Sequence, residues 1–458
     1  MEDKTSMGGS EAPKASGSMI TGPIGKSLFL FAVPLLLSSL FQQLYNTADS
    51  LIVGNFLGDS ALAAVSSSRT LIFLMVDLFN GMFAGAGVLV ANAFGSGDRA
   101  RLSHAVHTTV AFGAAIGLAL TVLGNVLAPV LLRMMETPES VMRESLAYFR
   151  VYFSGSLAFM MYNCCSGILR NIGDSVHPLI YLVTASIVNV ILDVLFVGVM
   201  GFGVGSAALA TVISQGLSAL LCLMRLCREP TPYQVSIPKV RFHRRSFRQL
   251  LRYGIPSGFQ NSVVAFSNVF IQTHINVFGV KAIAGSGVWA KLEGFAVLPI
   301  GSFSMALSTF VGQNQGARRY GRIRRGSLFG MACCAGMSVA TAAVLWFFVP
   351  TLASFFNRDA EIIAFSTMQA RIDTPFLIFL GLSNCMGGIL RGAGRTRESM
   401  MIYLLCWCVV RVAFISIGIR IWPDIRVVFG VKPLTWALST IVFACSWRRL
   451  IREFGDAR

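Results

Sequence analysis

The chain contains the sequence NCCSGILRNIG at residues 163–173 and, 221 residues later, the sequence NCMGGILRGAG at residues 384–394. The two stretches share their first asparagine, a central Gly-Ile-Leu-Arg run and a closing glycine. Internal repeats of this kind are a common building plan of membrane transport proteins. The sequence therefore predicts two structurally related halves.

The same register extends far upstream of these stretches. The matched pairs are Asn55 with Asn276, Gly58 with Gly279, Ala61 with Ala282 and Gly95 with Gly316. Pro34 and Pro256 match after a slip of one residue. Two similar lobes inside a bilayer are typical of solute transporters, whose binding site lies between or within the lobes. The repeat alone therefore makes transport the leading hypothesis.

The composition is that of a membrane protein. Apolar residues make up 54% of the chain, charged residues only 13%, and the mean hydropathy is +0.67. These values are far from those of soluble domains. A formal net charge of +17 also occurs in proteins that bind nucleic acid, but here the basic residues stand in short runs between apolar segments. The charge therefore reports membrane topology, and nucleic acid is not an expected partner.

Twelve apolar segments, each bounded by Gly, Pro or charge, are long enough to cross a bilayer as helices. Their predicted spans are 26–52, 62–91, 104–132, 145–168, 177–199, 204–226, 248–275, 283–311, 325–350, 363–389, 397–419 and 430–448. We therefore predict an all-α polytopic membrane protein with twelve transmembrane helices in two pseudo-symmetric six-helix lobes.

The predicted domain boundaries follow from these spans. The segments are a disordered cytoplasmic tail at 1–22, a first lobe at 23–226, a cytoplasmic linker at 227–247, a second lobe at 248–452 and a cytoplasmic tail at 453–458. The names first lobe and second lobe refer to these ranges below.

The distribution of basic residues predicts the orientation in the membrane. Twenty-six of the 38 Lys and Arg fall in the segments on the side of the termini, and seven fall on the other side. By the positive-inside rule, both termini are expected in the cytoplasm. Residues 1–18 contain no apolar stretch that resembles a cleavable signal. We therefore expect a multi-pass protein of the plasma membrane. We also expect it to be a monomer.

Acidic residues inside the predicted spans are candidates for function, because a carboxylate in hydrocarbon is costly unless it has a partner or a wet cavity. Asp49 lies late in the first span, preceded at helical spacing by Asn46, Tyr45 and Gln42. Pro34 in the same span is expected to allow a kink. The alternative interpretation is that Asp49 is a solvated residue at the helix end.

A second polar stripe occurs in the fifth span. Asn189 and Asp193 share one helical face, and Thr211 follows in the sixth span. Together with Asp49 they supply oxygen ligands for a small hard cation or a carboxylate pair able to hold a proton. The pattern does not distinguish Na⁺ from H⁺, and Asp193 is alternatively a simple interfacial residue. We expect no other metal and no organic cofactor.

The second lobe lacks these acids, because Asp193 maps onto Phe414. It has Asp373 in the tenth span, and Lys291 with Glu293 in the eighth, where the latter two form either an internal salt bridge or part of a functional site. Trp289 and Tyr45 are candidate aromatic residues in the wall of a cavity that binds an apolar, cationic substrate. The alternative for these aromatic side chains is that they face lipid or pack in the core, in a chain with 35 Phe.

Other classes of function find less support in the sequence. A phosphate-binding loop would require a glycine where Ile20 stands, and no hydrolytic constellation is visible among the five His. An enzyme is therefore not expected. A channel would require a continuous polar pore, which two isolated stripes do not provide.

Taken together, these features of the sequence resemble the multidrug and toxic compound extrusion (MATE) family. The matching stretches are GPI at 22–24, QQLYNTAD at 42–49, GFGVGSAA at 201–208 and the paired Gly-Ile-Leu-Arg segments. The resemblance covers nearly all of residues 20–450. It implies cation-coupled export of small amphipathic molecules through an outward-open V whose two lobes rock to expose one cavity alternately to each side.

The resemblance also implies roles for individual residues. Asp49, Asn189, Asp193 and Thr211 match the first-lobe cation site of the DinF-like bacterial branch, with Gln42 beside it and Pro34 at the bending point. The other branch uses acids in the seventh and tenth spans, and of these only Asp373 is present. The alternative within the same superfamily is a flippase for lipids or lipid-linked saccharides, which would need a basic cavity.

Overall fold

The computed structural model describes residues 19–134, 137–228 and 230–456, which form helices and no strand. The helices of the first lobe are α1 (Ile24–Gly58), α2 (59–95), α3 (Arg99–Met134), α4 (139–171), α5 (Val176–Val199) and α6 (Gly205–Arg228). Those of the second lobe are α7 (Arg244–Asn276), α8 (Val280–Gly316), α9 (Tyr320–Ser354), α10 (Ala360–Gly392), α11 (Thr396–Ile421) and α12 (Ile425–Asp456). The all-α, twelve-helix prediction is confirmed.

Several helices contain a local irregularity. Gly58, with φ of 82°, separates α1 from α2, and Gly155 interrupts α4. A turn of π-helix occupies Val194–Val199 in α5 and another occupies Leu404–Val409 in α11. Such π turns occur frequently at functional sites. The turn in α5 begins directly after Asp193.

Ten of the described helices are long and apolar enough to cross a membrane. The two that fall below this threshold are 139–171 and Arg244–Asn276, which carry more polar residues. All twelve predicted spans fall within a helix, apart from Val204, which precedes the first turn of α6. The helices are longer than predicted because charged and polar residues continue the helix beyond its apolar centre.

Alternate loops lie at opposite ends of the bundle. We call the end with loops 96–98, 172–175, 230–243, 317–319 and 393–395 the basic end, and the opposite end the far end. At the basic end the lobes are in direct contact. A Cβ placed on Gly95 would lie 1.9 Å from the carbonyl oxygen of Gln313, and one on Gly316 would lie 2.1 Å from that of Asn92. Glycine is therefore required for this close approach.

The first helix of each lobe crosses between two cores. Leu28 and Leu35 in the basic half of α1 pack in one core with residues of α8 and α9, whereas Val53 near the far end belongs to the core of the first lobe. Conversely, Leu250 at the start of α7 packs in the first-lobe core, and Ile271 packs with α12. The packing units therefore cross the boundaries predicted from the repeat.

Both predicted tails are shorter in the structure. Residues 1–18 lie outside the described residues, but Met19 is fully buried, and its backbone N–H donates to Gln313 Oε1 over 3.2 Å. At the other terminus α12 continues to Asp456, because Glu453 pairs with Arg395 and Phe454 stacks on Tyr320 with ring centroids 4.8 Å apart. Residues 19–22 and 453–456 are therefore part of the described structure, and for residues 1–18 and 457–458 the predicted tails stay a prediction.

Candidate functional site

The four polar residues predicted for the first-lobe site lie in the interior of the lobe. Asp49 is 5% exposed, Asn189 and Asp193 are 0% exposed, and Thr211 is 4% exposed. They come from α1, α5 and α6. Asp49 and Asp193 lie close enough for their negative charges to repel each other when both are ionised. The burial of Asp49 disagrees with the alternative of a solvated helix end, and Asp193 is fully buried within the lobe.

Asn189 connects the acid on its own helix to α6. In the orientation that satisfies both ends of the amide, its nitrogen donates to Asp193 Oδ2 over 3.0 Å and its oxygen accepts the backbone N–H of Thr211 over 3.3 Å. In the reverse orientation its nitrogen lies 3.5 Å from Thr211 Oγ1. We assign the first orientation, because a buried amide rarely leaves a group unsatisfied.

One oxygen of Asp193 remains available to a ligand. Within the described part of the chain, Oδ1 of Asp193 is buried and has no hydrogen-bond partner. A buried carboxylate oxygen in this situation requires a proton or a cation, since desolvating a bare charge is costly. The Thr211 hydroxyl donates to Ala207 O over 3.0 Å, so its lone pairs remain to accept or coordinate. The donor set therefore fits either H⁺ or Na⁺.

The remaining α1 candidates are arranged around this pair. α1 keeps helical backbone angles through Pro34, and the only break in the helix from Ile24 to Gly95 is at Gly58. The Ser38 hydroxyl donates to the Pro34 carbonyl over 2.8 Å. Tyr45 and Asn46 are half-buried, whereas Gln42 is exposed. Gln42 is therefore not packed in the interior with Asp49 and Asp193.

The second lobe holds a separate cluster of buried charges. Trp289 Nε1 donates to Asp373 Oδ2 over 2.8 Å, and both residues are 0% exposed. Glu293 pairs with Lys432, with Nζ 2.6 Å from Oε2. Lys291 instead lies 5.4 Å from the centroid of the Phe356 ring. Of the two alternatives left open for Lys291 and Glu293, the salt bridge between them is not formed, because Glu293 pairs with Lys432.

Lys432 belongs to this cluster although the sequence assigned it to the far surface. The predicted span began at residue 430, which made Lys432 an end residue, but α12 starts at Ile425 and carries the lysine inward. Arg411 is also buried, and it donates to Ser267, Asn268 and Thr435. Two cations and two acids therefore share this region.

A polar cavity of about 340 Å³ lies between α2, α7, α10 and α11. It includes none of the predicted cavity residues. Its polar lining residues are Asp77, Ser257, Gln260, Asn261, Asn268, Asn384, Arg391 and Tyr403. Two signals in the sequence would have indicated it. Asp77 is an acid in the middle of the predicted span 62–91, and Arg391 is part of the repeated motif.

Comparison with known proteins agrees with this architecture. A family model described as MatE matches residues 34–195 and 256–417, one block in each lobe. The chain is 27% identical to "Probable multidrug resistance protein YpnP" of Bacillus subtilis (strain 168), over 86% of this chain and 88% of that protein. It is 28% identical to "Probable multidrug resistance protein YoeA" of the same organism, over 89% of this chain and 90% of that protein.

A solved structure described as "MATE in the bent conformation" superposes with a TM-score of 0.90 at 21% identity, covering 96% of this chain and 98% of that one. This likeness concerns the fold. The family model covers more than half of the chain, and its two blocks begin at Pro34 and Pro256, the pair that matches one residue beyond the interval of the duplicated motif. The chain therefore belongs to the MatE family and is a multi-pass membrane transporter of the MATE type.

Proposed function

We propose that the protein is a cation-coupled antiporter that exports small amphipathic molecules, often cationic drugs, with H⁺ or Na⁺ as the coupling ion. The observation that carries this proposal is the buried Asp49 and Asp193 pair, in which one carboxylate oxygen of Asp193 has no partner among the described residues. A cation or proton that reaches this pair removes the repulsion between the two acids.

The relatives support the class of cargo. Two of them are described as probable multidrug resistance proteins, and both align with nearly the full length of this chain. A flippase finds no such support among these relatives. The polar cavity also contains a single guanidinium, whereas a diphosphate head group would favour several basic residues.

Occupation of the site is expected to alter the position of α1. The far half of α1 carries Asp49 one turn before Val53, which belongs to the first-lobe core. The basic half of α1 packs on the second lobe, where the rings of Phe29 on α1 and Phe303 on α8 have centroids 5.7 Å apart. A change at Asp49 is therefore transmitted to the contact between the lobes. Pro34 lies between these two regions, where its missing N–H lowers the cost of bending.

The lobe contacts support an alternating mechanism. The close glycine contacts hold the lobes together at the basic end, which the charge distribution assigns to the cytoplasm. In this conformation a cation enters from the far side, neutralises the acids and displaces cargo outward. The cation is then released inward when the basic end opens. We further propose a bacterial plasma membrane location, cytoplasmic termini and a monomeric state.

The test is efflux from vesicles under an imposed gradient of H⁺ or of Na⁺, applied one at a time, with a fluorescent organic cation as cargo. The double variant Asp49→Asn with Asp193→Asn is expected to insert normally and to lose gradient-driven efflux. The matched control is Asp174→Asn, which makes the same change at an acid bonded to His177 in a basic-end loop. Normal efflux by the double variant would refute the assignment.

A further inference from the structure

The polar cavity between the lobes has more polar lining residues than a binding site for apolar cations would need. Four side-chain amides face it, and its only aromatic lining residues are Tyr403 and Trp407. An interior surface of this kind is costly in a membrane protein unless water or a polar solute occupies it. Its volume of about 340 Å³ lies at the lower end of the range for small-molecule sites.

One wall of the cavity carries a positive charge. Arg391 Nη2 donates to Ser304 Oγ over 3.2 Å, and the Tyr403 hydroxyl, which lines the same cavity, donates to Asn384 Oδ1 over 3.5 Å. A guanidinium has five N–H donors in a planar fork, so donors remain for a ligand. The fork matches a carboxylate, which accepts two parallel hydrogen bonds from it.

Another wall carries a negative charge. Asp77 of α2 lines the cavity from the first lobe, and the Asn261 side chain on α7 donates to the Asp77 backbone carbonyl over 3.5 Å. An amide does not neutralise a carboxylate. A ligand ammonium at this position would supply the missing charge.

The amides between these walls retain free donors. Gln260 accepts the Ser399 hydroxyl on its oxygen over 3.1 Å, and Asn268 accepts Arg411 on its oxygen over 3.4 Å. Both therefore keep their NH₂ groups for a ligand acceptor.

We propose that this cavity binds a small zwitterion, with its carboxylate on Arg391 and its ammonium on Asp77. The proposal rests on the export function proposed above and specifies a class of cargo for it. Because Asp77 belongs to the first lobe and Arg391 to the second, a zwitterion bridges the two lobes. Cations without an acidic group engage only one wall.

Three indole compounds of matched ring structure test the proposal. L-Tryptophan carries both charges, tryptamine carries only the ammonium and indole-3-propionate carries only the carboxylate. Binding of each radiolabelled compound to the full-length protein in detergent is measured by equilibrium dialysis without any gradient. Tryptophan is expected to bind about ten-fold more tightly than either single-charge compound, because it makes one more charge-assisted contact.

Two variants assign each charge to its wall. Arg391→Gln is expected to reduce tryptophan affinity to the level of tryptamine and to leave tryptamine affinity unchanged. Asp77→Asn is expected to reduce tryptophan affinity to the level of indole-3-propionate and to leave the affinity for that anion unchanged. If Arg391→Gln loses the gel-filtration profile of the folded protein, Arg391→Lys replaces it. This variant keeps the charge but loses the two parallel donors, so a smaller preference for tryptophan over tryptamine is expected.

The proposal is overturned if tryptamine binds as tightly as tryptophan, if Arg391→Gln weakens both compounds equally, or if none of the three compounds binds. These outcomes are separate from the fate of the coupling proposal. Dialysis requires no ion gradient, so a variant that loses coupling at Asp49 and Asp193 still reports on the cavity.

Discussion

At the scale of single residues, the two lobes treat their buried acids differently. In the first lobe, Asp193 faces another acid, Asp49. In the second lobe, Glu293 is paired with Lys432, and their side chains are 14% and 16% exposed, respectively. The Glu293 carboxylate therefore has its counter-charge in the chain, whereas for the first-lobe acids we propose an ion from solution.

The Glu293 and Lys432 pair gives a testable difference between single and double substitutions. Lys432→Met leaves Glu293 without its partner and is expected to lower the free energy of unfolding by about 3 kcal/mol. Lys432→Met combined with Glu293→Gln removes both charges and is expected to cost about 1 kcal/mol or less. Thermal unfolding in detergent measures both. Equal destabilisation by the single and double variants would show that the two side chains are not coupled.

The contact between Trp289 and Asp373 can be tested in the same way. Trp289→Phe keeps an aromatic ring but removes the N–H that donates to Asp373 over 2.8 Å. Loss of this donor to a buried acid is expected to cost about 1–3 kcal/mol in the free energy of unfolding. Trp407→Phe is the matched control, since its N–H donates to the neutral hydroxyl of Ser439. The prediction fails if the control is the more destabilising of the two.

At the scale of elements, the segment between the lobes is held on α3 by histidines. His107 Nε2 accepts the backbone N–H of Ser236 over 3.0 Å, and its Nδ1 lies 2.8 Å from the Ser103 carbonyl oxygen. Only a neutral ring accepts at Nε2 while donating at Nδ1. The linker therefore docks on α3 through a ring that must be unprotonated.

This docking is expected to weaken in acid. The pKa of His243 is lowered from 6.5 by its desolvation and by neighbouring His104, Arg241 and His107. Because the docked state disfavours the protonated ring, its stability is fully present above pH 6.5 and declines as the pH falls below that value. Limited proteolysis between residues 230 and 243 across this range measures the release. His243→Phe keeps a ring to stack on His104, whose centroid lies 4.0 Å away, and is expected to reduce the pH dependence. An unchanged pH profile in His243→Phe would contradict this role.

At the scale of the whole molecule, contact between the lobes depends on residues without side chains. A Cβ on Gly95 would lie 1.9 Å from the backbone of α8, which cannot give way without moving the helix. The repeat partner, Gly316, meets α2 in the same way. The duplicated sequence therefore places a glycine on each side of one interface.

A larger residue at this interface is expected to separate the lobes at the basic end. Gly95→Val should increase the distance between spin labels placed at residues 98 and 318 and should lower gradient-driven efflux at least about ten-fold, since the closed state is no longer favoured. Gly336→Val is the matched control, because a Cβ on that helical glycine meets no atom within 4 Å. An unchanged label distance in Gly95→Val would contradict the role of this contact.

Much of the fold was predictable because its determinants are local. Apolar length sets a membrane helix, the duplicated motif sets the two lobes, and helical spacing places Asn189 and Asp193 on one face. Asp49 was identifiable because a carboxylate in an apolar helix is costly unless it has a partner or faces a wet cavity.

Tertiary structure decided the partners of these residues. Glu293 faces Lys432 rather than the neighbouring Lys291 because α12 begins earlier than its hydropathy indicates and turns the lysine inward. The polar cavity joins residues from four helices, and no spacing along the chain records which helix faces become neighbours. Hydropathy and residue spacing along the chain were enough to predict the membrane segments and the polar residues within them. Only packing between helices decided which of those charges meet, because that depends on helix rotation and on the glycines that let the lobes approach.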